Sequence, residues 1–156
     1  MNLVKQKPEV AVKNKFTGGI WRDRKEISWV DPASKFVWDY NIEVSKEAIK
    51  LGVDEINFDY IRFPSDGDMK ALAYPVFDEN QLSKSQQLEQ FFKYLNENLK
   101  PTEVKLSVDL FGLSTVNNDD LGIGQKIESA YLYFDYVCPM VYPSHYANGL
   151  IGYQNQ

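Results

Sequence analysis

Two segments of the chain carry apolar residues at helical spacing. Residues 34–51 have an apolar stripe that steps by three and four positions, as an amphipathic helix requires. This stripe consists of Val37, Tyr40, Val44, Ala48 and Leu51. Ser34 can cap the start of this helix, and Gly52 stands where a left-handed C-terminal residue is favoured. A second helix is predicted over residues 84–99, and Pro101 ends it. Its buried face is predicted to be Leu88, Phe91, Phe92, Leu95 and Leu99.

Three shorter segments have the pattern of strands: residues 54–62, 104–111 and 135–142. A third helix is predicted over residues 121–133. Its Gly-Ile-Gly sequence at residues 122–124 is interpreted as the start of this helix and not as a phosphate-binding loop. The first 33 residues lack periodicity, so they are predicted to be a long loop with short extended pieces. Helices that alternate with strands indicate an α/β fold with parallel strands and right-handed crossovers.

Alternation within the strands separates two faces of the predicted sheet. In the first strand Asn57, Asp59 and Ile61 share one face, and Ile56, Phe58 and Tyr60 share the opposite, apolar face. In the second strand Ser107 and Asp109 share a face opposite Leu106, Val108 and Leu110. The apolar faces are expected to pack against helices.

Asp59 and Asp109 both fall near the carboxyl ends of their strands, where parallel α/β proteins place their sites. Two carboxylates there could act as nucleophile or base and as general acid. The alternative is structural: Asp59 pairs with Arg62, and Asp109 caps a turn.

The third strand ends in further polar candidates. Tyr142 and His145 could hydrogen-bond a polar substrate. A Ser-His-Asp triad is a weak alternative, because no G-x-S-x-G motif is present. Trp21 and Trp29 could stack on sugar rings, or they could anchor the first loop. Cys138, in mid-strand, is expected to be an inert core residue.

Composition narrows the function classes. The 156 residues are 44% hydrophobic and 25% charged, as in a globular protein, and 14% are aromatic. A net charge of −5 without a basic stripe argues against a nucleic-acid partner. A single cysteine excludes internal disulfides, and a single histidine makes a histidine-based zinc site improbable.

No cofactor is expected from the sequence. Clustered carboxylates could hold calcium, but no ligand run of the EF-hand kind is present, and no metal ligand is assigned. The N-terminal sequence lacks an apolar segment of the length that a signal peptide or a membrane span needs. Cellular location and oligomeric state stay open, and a secreted or cell-envelope parent protein is compatible with the sequence.

Three segments resemble a bacterial family of glycoside hydrolase-like domains of uncharacterised function, distantly similar to α-amylase-type barrels. They read GVDEINFDYIRFPSDG, LSVDLFGL and VCPMVYPSHYANGLIGY. The resemblance runs from ISWVDPASKFVWDYN to the C-terminus and implies a (β/α)₈ TIM barrel. Such barrels need about 250 residues, so residues 1–156 are expected to form an incomplete barrel. Residues 1–33 would be its loop segment, and residues 34–156 would be about three β/α units that carry the fourth to sixth strands.

The same resemblance implies roles for single residues. Asp59 matches the aspartate nucleophile by strand order, and Asp109 stands where the α-amylase type has a glutamate acid. Arg62 is expected near Asp59, where its charge would keep the carboxylate ionised. The substrate-binding candidates are Asn57, Tyr60, Arg62, Tyr142, His145, Trp21 and Trp29.

The leading expectation is therefore a glycoside hydrolase that cleaves the glycosidic bonds of a polysaccharide with paired carboxylates. One alternative is a carbohydrate-binding barrel without catalysis. Another is an inactive fragment of the hydrolase, since a barrel with three strands is incomplete.

Overall fold

The computed structural model describes residues 3–142, and within them the fold is mixed α/β. Its centre is a three-stranded parallel sheet in the order β2 (Glu55–Phe58), β4 (Lys105–Phe111), β5 (Tyr136–Met140). Two short strands, β1 (Lys13–Asn14) and β3 (Leu72–Ala73), pair antiparallel in a separate two-stranded sheet. The predicted parallel arrangement of the three main strands is confirmed.

Four α-helices accompany the strands in the described range: α1 (Leu3–Gln6), α2 (Lys35–Lys50), α3 (Lys84–Leu99) and α4 (Ile127–Tyr131). None of them is long and apolar enough to cross a membrane. Helices α2 and α3 contribute to one core that also contains the apolar face of β4. That face is Leu106, Val108 and Leu110, all fully buried.

Helix α3 forms as the sequence predicts. Ser83 and Gln86 make a capping box: the Ser83 hydroxyl accepts from the Gln86 amide at 3.2 Å, and Gln86 Oε1 accepts from the Ser83 amide at 2.9 Å. These bonds satisfy backbone groups that a helix N-terminus leaves open. All five predicted core positions of this helix are buried: Leu88, Phe91, Phe92, Leu95 and Leu99.

Helix α2 has nearly the predicted bounds but buries a different face. Its buried residues are Val37, Trp38, Ile42 and Ser45. Three members of the predicted stripe are exposed instead: Tyr40, Val44 and Leu51. The Trp38 ring packs on Phe91 and Tyr94 of α3, with ring centroids 5.3 and 5.5 Å apart. Because α2 carries apolar residues on two faces, this aromatic contact decides which one turns inward.

Strand β2 ends at Phe58, four residues before the predicted end. Tyr60 adopts a left-handed backbone conformation with φ +57°, which breaks the alternation of faces. As a result Tyr60 is 65% exposed, although alternation placed it against the helices, and Ile61 is buried instead.

The segment before α4 is a loop, so the helix predicted from residue 121 is wrong there. Gly122 and Gly124 are left-handed, with φ +67° and +86°, and α4 begins only at Ile127. A Cβ on Gly124 would lie 2.9 Å from both Leu88 Cδ1 and the Lys84 carbonyl oxygen. The Gly-Ile-Gly sequence therefore makes a tight turn against α3 and does not start a helix.

Candidate functional site

A row of four polar side chains crosses β2 and β4 on the face opposite the helices. Asn57 pairs in register with Ser107, and its Nδ2 donates to Ser107 Oγ at 2.9 Å and to Asp109 Oδ1 at 3.2 Å. The Ser107 hydroxyl in turn donates to Glu55 Oε1. Asn57 therefore ties the Asp109 carboxylate of one strand to the neighbouring strand.

The two predicted acids lie at the ends of neighbouring strands. Asp109 is half-buried and stands two residues before the end of β4. Asp59 is exposed and directly follows the last residue of β2, and its Oδ1 accepts from the Tyr60 amide at 2.6 Å. Since β2 and β4 are parallel neighbours, both acids belong to the carboxyl ends of adjacent strands.

Strand β5 lies beside β4 on the side away from β2. Cys138 pairs in register with Asp109 and is exposed, so the expectation of a core cysteine is wrong. Its Cβ alternates with the partly buried Val137 and Pro139. Tyr142 follows the strand with an exposed side chain. The predicted candidate His145 lies outside the described residues.

Arg62 lies between two aromatic rings. Its guanidinium carbon is 4.9 Å from the Trp29 ring centroid and 5.3 Å from that of Tyr60. Its Nη1 donates to the Phe63 carbonyl at 3.2 Å and to Ser65 Oγ at 3.0 Å. Over residues 3–142 it forms no ion pair with any carboxylate, so the structural alternative, in which Asp59 pairs with Arg62, is wrong. Cation–π attraction to the two rings holds the guanidinium instead.

Trp29 is fixed from its other end by Asp23. The indole Nε1 donates to Asp23 Oδ2 at 3.0 Å, and the amides of Lys25 and Ile27 each donate to Asp23 Oδ1 at 2.9 Å. Burial acts to raise the pKa of Asp23, but these hydrogen bonds outweigh it and hold the pKa below its usual value. The first loop is therefore ordered around an ionised carboxylate that orients Trp29.

Trp21 has a different environment. Its side chain is only 2% exposed, packs with Val12 and Ala71, and donates from Nε1 to the Asp68 carbonyl at 2.9 Å. This enclosed ring anchors the loop and offers no face to a ligand. Trp21 is therefore not among the residues proposed to bind a substrate.

Two adjoining clefts share Trp29, Tyr60 and Arg62 in their walls. The larger has a volume of about 700 Å³ and is also lined by Lys25 and Asp66. The smaller has a volume of about 190 Å³ and includes Asp59. The aromatic and guanidinium groups thus connect the first loop to one of the two acids.

Comparison with known proteins identifies the family of the chain. The family described as "Putative glycosyl hydrolase domain" matches residues 1–156. The chain belongs to this family. It is also similar to the crystal structure of a hypothetical protein from Ruminiclostridium thermocellum ATCC 27405, with 39% identity and a TM-score of 0.59. That match covers 78% of this chain and 53% of the other, so the chain spans about half the length of that protein. A comparison with curated proteins found no match.

Within this family member, sequence reasoning missed one residue that holds the strand ends together. Gln125 is 1% exposed; its Oε1 accepts from the Phe111 amide at 2.8 Å, and its Nε2 donates to the Ile61 carbonyl at 3.0 Å. It therefore links the end of β4 to the segment that follows β2. Its position between a glycine turn and a short helix gives no sign of burial, so sequence alone could not have found it.

Glu55 was also missed, although a signal for it existed. It shares the parity of Asn57 in β2, and that alternation places it on the same face. Over residues 3–142 no group of three or more His, Cys, Asp or Glu side chains is arranged to hold a metal ion.

Proposed function

We propose that this chain is part of a glycoside hydrolase that cleaves a polysaccharide, with Asp59 and Asp109 as its paired carboxylates. The observation that carries the proposal is the position of these acids at the carboxyl ends of adjacent parallel strands, with Asp59 in the wall of an aromatic cleft. Sugar-binding sites commonly combine such acids with aromatic rings. Family membership supports the same reaction class.

We further propose that the three parallel strands are part of a (β/α)₈ barrel. The polar row and the exposed Cys138 lie on the face opposite the helix-covered core, where a barrel has its interior. The match to about half of a longer protein supports a structure with additional strands. In a barrel the acids would lie at the carboxyl-terminal rim, the usual location of the active site.

The two carboxylates would have different roles. Asp109 would protonate the oxygen of the leaving sugar, while Asp59 would attack the anomeric carbon or stabilise its positive charge. Asn57 would fix the orientation of Asp109 through its 3.2 Å hydrogen bond. A separation of about 5 to 5.5 Å between the carboxyl groups during catalysis would give retention, and about 6.5 to 9.5 Å inversion.

The test is release of reducing ends from a polysaccharide panel, with the 156-residue chain and with any longer chain that contains it. Asp59→Asn and Asp109→Asn should each lower the rate by roughly 10² to 10⁴-fold. Asp119→Asn, in an exposed loop, is the matched control and should retain the rate. Circular dichroism checks that each variant is folded. Hydrolysis that persists in both active-site variants would show that other residues perform the reaction.

A carbohydrate-binding role without catalysis is the second candidate. The cleft formed around Trp29, Tyr60 and Arg62 could hold a glycan whether or not the acids react. Glycan binding with no product, and with no effect of either Asn variant on binding, would favour this role.

A further inference from the structure

Arg62 carries hydrogen-bond donors that the described part of the chain does not use. A guanidinium has five N–H groups, and both hydrogen bonds of Arg62 come from Nη1. Its Nε and Nη2 groups have no acceptor within residues 3–142. These two nitrogens form the side edge of the guanidinium, with two N–H bonds that point in nearly the same direction. This edge matches the two oxygens of a carboxylate.

The direction of this edge is fixed before any ligand binds. Trp29 and Tyr60 contact the guanidinium through their rings, and Asp23 holds the Trp29 indole in turn. Arg62 is also only partly exposed, so water screens its attraction to a bound anion less than it would for a fully exposed arginine. Such preorganisation lowers the entropy cost of binding an anion.

Among residues 3–142, no carboxylate forms an ion pair with Arg62. Asp23 already accepts three hydrogen bonds from its own loop. Asp66 lines the same cleft, and Asp59 lines the adjoining one, yet neither forms an ion pair with Arg62. Lys25 adds a second positive charge to the wall of the larger cleft.

We propose that this cleft binds an acidic sugar and that Arg62 recognises its carboxylate through the Nε and Nη2 edge. The inference rests on the proposed function and narrows its substrate to polysaccharides that contain carboxylate-bearing sugars, such as uronic acids. Arg62 is then a specificity residue: it selects the charged sugar, and the reaction belongs to Asp59 and Asp109.

The test measures binding of three acidic oligosaccharides by calorimetry: oligogalacturonate, oligoalginate and oligoglucuronate. Fully methyl-esterified oligogalacturonate is the matched ligand, because esterification removes the charge and keeps the sugar. We expect at least one of the three acidic oligosaccharides to bind. If oligogalacturonate binds, its affinity should be roughly 10-fold or more higher than that of its methyl ester. Failure of all three acids to bind, or equal affinity for acid and ester, overturns the inference. The inference is also overturned if dextran sulfate binds as tightly as the acidic oligosaccharide, since charge attraction alone would then explain the binding.

Three variants separate recognition by Arg62 from general charge effects. Arg62→Gln should weaken binding of the acid roughly 10-fold or more, and Arg62→Lys should restore only part of it, because an ammonium lacks the planar fork. Arg24→Gln removes one positive charge from an exposed residue outside the cleft and should leave binding unchanged. If Arg62→Gln and Arg24→Gln bind the acid equally well, Arg62 is not the recognition residue. Full recovery in Arg62→Lys would likewise exclude a role for the fork.

Product release in the same samples keeps the two proposals apart. An acid that binds through Arg62 but is never cleaved would overturn the hydrolase and retain the recognition. A neutral polysaccharide cleaved faster than every acidic one would retain the hydrolase and overturn the recognition.

Discussion

Replacement of Gln125 gives a test of how the strand ends are held together. In Gln125→Ala the Phe111 amide and the Ile61 carbonyl both lose their side-chain partner. A buried polar group left without a partner costs about 1 to 3 kcal/mol. The truncated side chain also leaves a cavity in a site that is 1% exposed. We therefore expect the free energy of unfolding to fall by about 2 to 5 kcal/mol, a large fraction of the roughly 5 to 15 kcal/mol of a typical domain.

Gln125→Glu separates the hydrogen bonds from the cavity. Glutamate has nearly the same volume and can still accept from Phe111, but when ionised it cannot donate to Ile61 and would place a negative charge against that carbonyl oxygen. At neutral pH the Gln125→Glu variant should therefore also be less stable than the native protein, although no cavity forms. Gln90→Ala, on the exposed side of α3, is the matched control and should change stability by no more than about 0.5 kcal/mol.

Urea denaturation followed by tryptophan fluorescence and by circular dichroism measures these differences. The reasoning is refuted if Gln125→Ala loses less than about 1 kcal/mol, since an unpaired buried group would then cost almost nothing. It is equally refuted if Gln125→Glu is as stable as the native chain at neutral pH.

Three further predictions concern stability. A hydrogen bond from the Leu106 amide and, as the next largest effect, one from the Lys100 side chain lower the pKa of Asp135 to about 2. Asp135→Asn should therefore destabilise the protein at neutral pH. Because the pKa of Asp135 is lower in the folded than in the unfolded protein, the ionised carboxylate stabilises the fold, and this stabilisation is lost as the carboxylate is protonated. The difference in melting temperature between the native protein and the variant should therefore shrink as the pH falls from about 4 to 2. A difference that does not change with pH would contradict this. Gly67→Ala should cost about 2 kcal/mol or more, since its Cβ would lie 2.8 Å from the Trp21 ring at φ +95°. Gly18→Ala, with φ +72° and open space, should cost only about 1 kcal/mol, and equal losses by urea titration would argue against the clash. Ser83→Ala should cost about 1 kcal/mol in the same titration by removal of the α3 cap, and an unchanged midpoint would show that the cap is dispensable.

Helix α3 was predictable because its local signals agree with its packing. The apolar stripe and Pro101 indicate the same bounds, and the helix has a single face to bury. Helix α2 has two apolar faces, and periodicity alone cannot rank them. The contact of Trp38 with Phe91 and Tyr94 makes the choice, and it depends on residues that are distant in the sequence.

The candidate site divides in the same way. Strand order was sufficient to predict that Asp59 and Asp109 lie at the carboxyl ends of neighbouring strands. The partners of Arg62 were not predictable, because an acid three residues away and a tryptophan in a distant loop are both reasonable partners for a guanidinium. The turn at Tyr60 could not be foreseen either, since a tyrosine in the left-handed region is rare.

That turn at Tyr60 has a consequence for how position 60 tolerates change. Glycine would adopt φ +57° with less strain, by about 1 kcal/mol, so tyrosine is the less stable choice for the backbone. In a library of variants at this position sorted for thermal resistance alone, glycine and asparagine should be enriched. In the same library sorted for capture of a glycan, the aromatic ring beside Arg62 should be retained. Opposite enrichment at position 60 would show that the stability of this loop and its binding of a glycan favour different residues.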